Sequence, residues 1–142
     1  MKIIIITQND FQTIPKNIRL ILKENSVTLD HIFIIDSKGS LTNKLDLFLN
    51  FGLIQLIKLA FYTLKSLILS VLSIASDKFD YYESFFSLKL KYPRLKIHKV
   101  TDIHSKENIE LISNLAPDLI VSFSCPVKLK KNILSIPKKG SI

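Results

Sequence analysis

The chain has 142 residues, 47% of them hydrophobic and 23% charged, a composition that excludes a disordered chain and allows one domain with a real core. Twenty Lys and Arg against twelve Asp and Glu leave a formal charge of +8, which suits a polyanionic partner such as tRNA, a nucleotide-linked substrate or a polyglutamylated cofactor, or else only keeps a Lys-rich surface solvated. A single cysteine, Cys125, excludes an internal disulfide and makes a reduced cytoplasm the default location.

In chain order, "MKIIIITQND" opens with a β-branched run from Ile3 to Ile6, the pattern of a strand covered on both faces of a parallel sheet. The run is too short for the apolar region of a signal peptide. Pro15 stands where a helix can begin, and Ile18, Ile21 and Leu22 share one face of it before Glu24 and Asn25 end the segment. "LDHIFIID" repeats the buried-strand pattern around Ile32 to Ile35. Together these read as a central first strand, a helix and a second strand.

The stretch from Leu45 to Ala75 is long and apolar enough to raise a membrane span. Its periodicity argues for an amphipathic helical insertion, spanning about 41–91, that packs on the domain or on another part of the protein. Phe51, Ile54, Ile57, Phe61, Leu64, Ile68 and Val71 recur every three or four residues, while Gln55, Lys58, Tyr62, Lys65 and Ser73 fall opposite. Two lysines at a bilayer centre would each cost about 3 kcal/mol. A peripheral membrane or partner contact through Leu45–Ala75 remains the alternative to intramolecular packing.

"LKIHKV" supplies a third strand around Ile97 to Val100. A helix is predicted from Ser105 to Leu115, with Ser105 as N-cap, Glu107 in the first turn and Ile109, Ile112 and Leu115 on its inner face. A fourth strand, "DLIVSFS", follows Pro117. Strands alternating with helices predict an α/β fold, a Rossmann-like, mostly parallel sheet flanked by helices.

Only Gly39, Gly52 and Gly140 are present, so neither G-x-G-x-x-G nor a P-loop can be built, and a nucleotide-dependent Rossmann enzyme is disfavoured. His31, His98 and His104 lack metal-ligand spacing and read as surface or core histidines; no metal site is expected. Cys125, an apolar strand-end cysteine with no His directly after it, reads as inert rather than nucleophilic. Geometry favours one place: the carboxyl end of the fourth strand and the loop "CPVKL", because open α/β sheets bind ligands outside the carboxyl ends of their strands. The loops "TQNDF" and "DSKGS" would flank it.

The closing stretch "PDLIVSFSCPVKLKKNILSIPKKGSI", with "MKIIIITQND" and "RLKIHKVTDIHSKENIELI", resembles the N-terminal domain of the 10-formyltetrahydrofolate-dependent formyltransferases, the family of methionyl-tRNA, glycinamide ribonucleotide and sugar N-formyltransferases. The resemblance covers residues 1 to about 38 and 93 to 142 and is most specific in the last twenty-six, where a P-D-[LIV]-[LIV]-V strand, a loop, a K-x-[LIV]-L turn and an [IML]-P-x-x-G turn follow without gaps. It implies a pterin-binding loop at Cys125, Pro126, Val127, Lys128 and Leu129. Pro126 departs from the glycine or small residue common there and offers no N–H.

The resemblance also implies transfer of a formyl group to an amine, carried by methionyl-tRNA or by a nucleotide-linked amino sugar, with no role for DNA. The family's catalytic Asn-x-His motif lies on the strand that follows the I-P-x-x-G turn. That strand begins here at Ser141 and Ile142, and none of the three histidines follows an Asn at that spacing. The expectation is a formyltransferase-like domain truncated before its motif, with no catalytic residue of its own. The rival from another class is a non-catalytic binding module that uses the helical insertion.

Overall fold

The computed structural model describes residues 1–9, 13–36, 52–76, 78 and 83–142. Residues 10–12 and 37–40, which take in parts of the predicted flanking loops, and positions 41–51, 77 and 79–82 of the predicted insertion lie outside the described residues. Four strands form one sheet: β1 (Lys2–Gln8), β2 (Thr28–Ile35), β3 (Lys96–Val100) and β4 (Leu119–Phe123). Their order is β3-β2-β1-β4 and every pairing is parallel, so the fold is α/β and Rossmann-like.

β1 is the central strand that its β-branched run predicts, and it supplies both cores. Ile3 and Ile5 point to one face, where they pack with Ile14 and Ile18 of α1 (Thr13–Leu22) and, further along the chain, with Leu88. Ile4 and Ile6 point to the other, against Ile103, Ile133 and Ile112 of a second helix described below. A strand buried on both faces needs no alternation of polar and apolar residues, which is why the run is continuous. β4, an outer strand of the four, is less buried than β1, with Ile120 alone fully enclosed.

The insertion contains α2 (Leu53–Ala75) and α3 (Phe85–Lys91). α2 is helical as expected, but only its C-terminal part is buried, and it is buried through serines; Gln55, Lys58, Tyr62 and Lys65 are exposed along with the apolar stripe. The apolar stripe does not pack on the domain: Phe61 is 72% exposed and Ile57 61%, whereas Ser66, Ser70 and Ser73 are buried. The physical reason lies in size and hydrogen bonding. Small serines let the C-terminal part of α2 approach α3 closely, and their hydroxyls are paired: Ser70 Oγ meets Ser84 Oγ at 2.7 Å, and Ser73 Oγ donates to the Ser70 carbonyl within α2. Ser84 is itself the N-cap of α3, locked in a capping box with Ser87. Arg19 of α1 approaches the buried Glu83 carboxylate at 3.5 Å and ties the entrance of α3 to the domain.

α4 (Lys106–Leu115) covers the second face with Ile112 buried and Ile109 and Leu115 partly so. Ser105 caps it, accepting from Asn108 N, as its sequence predicts. Asp118 then fixes β4 against β1: its N–H donates to the Lys2 carbonyl and its Oδ2 accepts from Lys2 N, both at 2.8 Å. A short helix, α5 (Lys131–Leu134), precedes the final turn, where Gly140 adopts φ +90, a conformation that favours glycine. Ser141 pairs in parallel with Ile120, and Ile142 exchanges main-chain hydrogen bonds with Ile120 and Ser122, so Gly140–Ile142 run along the outer edge of β4.

Candidate functional site

The strand order places a topological switch point between β1 and β4. From β1 the chain winds outward through β2 and β3, then returns to the other side of β1 as β4. Connections that diverge in this way open a crevice outside the carboxyl ends of the two strands, where such sheets bind ligands. Here that rim carries Gln8 at the end of β1, Asn9 after it, and Ser124 and Cys125 after β4. Thr7 lies opposite Phe123 in the last paired register.

Ser124 has φ +46, a left-handed conformation uncommon for a residue with a side chain, and it turns the chain sharply out of the sheet. The loop Cys125–Leu129 begins there. Cys125 and Leu129 are partly buried against the second core and anchor the two ends, while Pro126, Val127 and Lys128 are exposed between them. The Cys125 thiol donates to the Val127 carbonyl at 3.1 Å, closing a tight turn. Among the described residues, the N–H groups of Val127, Lys128 and Leu129 donate to no main-chain carbonyl. Unpaired main-chain donors held at a strand's end suit the edge of a planar heterocycle, with Val127 available to its face.

His104, read from sequence as an ordinary surface or core histidine, belongs to this rim. Its Nε2 lies 3.0 Å from the Lys128 carbonyl. A carbonyl only accepts, so Nε2 carries the proton, and the buried Nδ1 has no hydrogen-bond partner. Asp102 holds the approach, accepting from His104 N through Oδ1 at 2.8 Å and from Asn108 Nδ2 through its carbonyl. The loop after β3 is thereby fastened to the loop after β4. Position was the available signal: His104 follows the carboxyl end of a strand, as Cys125 does.

The other two histidines pair elsewhere. His31 Nδ1 and His98 Nε2 are 2.9 Å apart, with ring planes within 7°. The 5.2 Å between ring centres exceeds the nitrogen contact by about the two centre-to-nitrogen distances, so the rings meet edge to edge along one N–H···N bond. Desolvation by burial lowers both pKa values below 6.5, helped at His31 by the neighbouring His98 and at both by Lys96. In-line nitrogens this close leave no room for an ion between them. Among the described residues no group of three or more His, Cys, Asp or Glu could hold a metal.

Two cavities of similar size, lined by described residues, lie away from the loop. One, of about 410 Å³, opens between α2 and α3 beside Asn9 and is lined by Ile68, Val71, Phe85 and Phe86. The other, of about 420 Å³, sits at the amino end of β2, near Thr28, Tyr92 and Arg94. Cys125–Leu129 line neither. Lys128, Lys130, Lys131, Lys138 and Lys139 are all exposed and make the flank of the loop basic.

No protein-family model matches the chain, and no curated protein matches it.

Proposed function

We propose that the chain is a formyltransferase-like domain whose Cys125–Leu129 loop holds the pterin of 10-formyltetrahydrofolate, the donor of a formyl group to an amine. The observation that carries this reading is the loop's position: it leaves β4 at the switch point, on a left-handed turn at Ser124, with the N–H groups of Val127, Lys128 and Leu129 unpaired in the main chain. The reading also rests on the resemblance of the last twenty-six residues to that family.

In the proposed reaction the amine attacks the formyl carbon, the N10–formyl bond breaks, and an N-formyl product and tetrahydrofolate leave. The residues of this chain would bind and orient. Val127, Lys128 and Leu129 offer donors to the pterin edge, Pro126 offers none, and His104 fixes the loop through the Lys128 carbonyl. The exposed lysines suit the glutamate tail of the folate or the phosphates of an acceptor, which is methionyl-tRNA or a nucleotide-linked amino sugar. Proton transfer to and from the amine falls to the Asn-x-His motif in the family that the chain resembles, and no such motif occurs within residues 1–142.

Calorimetric titration with 5-formyltetrahydrofolate, a stable analogue of the donor, tests the reading. Weak saturable binding that Leu129→Asp abolishes is expected. Absence of saturation into the millimolar range overturns it.

A further inference from the structure

We propose that the outward face of α2 docks on the surface of an anionic lipid bilayer, with the helix lying in the plane of the interface. The inference is independent of the folate reading. Ile54, Ile57, Phe61, Leu64, Ile68 and Val71 form one stripe along α2, and each is more than half exposed. At 1.5 Å per residue the helix is about 35 Å long, and no described part of the chain covers the stripe. Phe86 and Leu90 of α3, also exposed, widen the apolar surface at its C-terminal end. A contiguous patch of this kind marks an interaction site.

Charge selects the occupant. Lys58 and Lys65, seven residues apart, lie exposed on one flank of the stripe with Tyr62 between them, and α2 contains no acidic residue. Such flanking cations reach lipid phosphates while their stems rest on the acyl boundary, and an amphipathic tyrosine suits the same depth. A second copy docked through this stripe would bring lysine flanks together with no carboxylate on either helix to offset them. The net charge of +8 adds attraction to an anionic surface.

The opposite face decides between lying on the bilayer and crossing it. Ser66, Ser70 and Ser73 are buried against the domain, and Ser70 Oγ is bonded to Ser84 Oγ. From Ser66 onward that side of the helix is therefore already occupied by protein, whereas residues 53–65 stand clear of the domain. A spanning helix would have to pull free of α3 or carry the domain into the hydrocarbon, whereas a helix lying flat needs only the face it already presents.

Flotation of the full 142-residue chain with vesicles of phosphatidylcholine, alone or with added phosphatidylglycerol, reads the binding directly. The chain should float with the phosphatidylglycerol vesicles, less with phosphatidylcholine alone, and less at high salt. Phe61→Glu should lower partitioning roughly tenfold or more, and Lys58→Glu with Lys65→Glu should remove the preference for anionic lipid. As a second readout, Phe61→Trp should fluoresce in the bound state and be quenched by bromine on the lipid acyl chains. No flotation and no quenching would overturn the proposal. So would a lipid-independent dimer that Phe61→Glu dissociates, which would assign the face to a second copy, or resistance to carbonate extraction, which would make α2 a span.

Discussion

The hydroxyls of Ser70 and Ser84 meet at 2.7 Å in a buried contact, and this bond fastens a helix to the domain by its polar side while its apolar side faces out. Stability should follow that inversion. Ser70→Ala should cost about 1 kcal/mol, the usual net worth of a buried neutral hydrogen bond, and Ser70→Leu should cost about 1–3 kcal/mol by overpacking. Phe61→Asp, at an exposed position, should stay within about 0.5 kcal/mol of the parent. Urea unfolding of the three variants measures this, and a larger loss from Phe61→Asp than from Ser70→Ala would contradict the orientation of α2.

Asp118 links stability to acid. Its carboxylate accepts from Lys2 N, and that hydrogen bond, more than the nearby Lys138 and Lys139, holds its pKa below the ordinary 3.8. The unfolded chain therefore takes up this proton first as pH falls. The contribution is fully present above 3.8 and is lost as pH drops through the lowered native value. Asp118→Asn should be less stable than the parent at neutral pH, with the difference shrinking through the acid limb. A difference that stays constant with pH would show that the charge plays no part.

His31 and His98 give a second window. Burial lowers both below 6.5, so the unfolded chain binds more protons from about that pH downward and stability falls until the lowered native values are passed. The N–H···N bond between them admits one proton to the pair more readily than two, so they should titrate as a coupled unit. His98→Gln should flatten the pH dependence of the melting temperature just below 6.5. An unchanged profile would mean that the pair does not titrate on unfolding.

Strands were legible in this sequence because β-branched runs state burial directly: Ile3–Ile6 and Ile32–Ile35 could only be strands covered on both faces. Ser105 was legible as a cap for a similarly local reason. The orientation of α2 was not, because periodicity locates an apolar stripe but says nothing of what meets it, and serine is neutral in such a pattern. Nor was the histidine pair. The β1–β2 register sets Ile3 opposite Leu29 but Ile4 opposite His31, so the bulge at Asp30 turns Leu29 to the face of Ile32, while His31 and Phe33, two residues apart, share the other. What periodicity does not state is the β2–β3 register, which sets Phe33 opposite His98 and so makes His98 the diagonal neighbour of His31. At the candidate site the loop Cys125–Leu129 was found from its place after a strand, whereas the bond from His104 to Lys128 depends on how two loops distant in sequence meet.

The 142-residue chain should not release tetrahydrofolate from 10-formyltetrahydrofolate, with either methionyl-tRNA or an amino-sugar nucleotide as acceptor. Loss of a donor and a base from one site costs several orders of magnitude in rate. Concentration-dependent release that is abolished by His104→Ala would instead make His104 a catalytic residue.

Backbone amide NMR during titration with 5-formyltetrahydrofolate tests the central claim most directly. Saturable shifts should appear at Val127, Lys128 and Leu129, with smaller ones at Ser124 and at His104, whose ring touches the Lys128 carbonyl. Pro126 will be silent. Shifts confined to α2 and α3, or to the cavity at the amino end of β2, would contradict the assignment of the loop as the folate site.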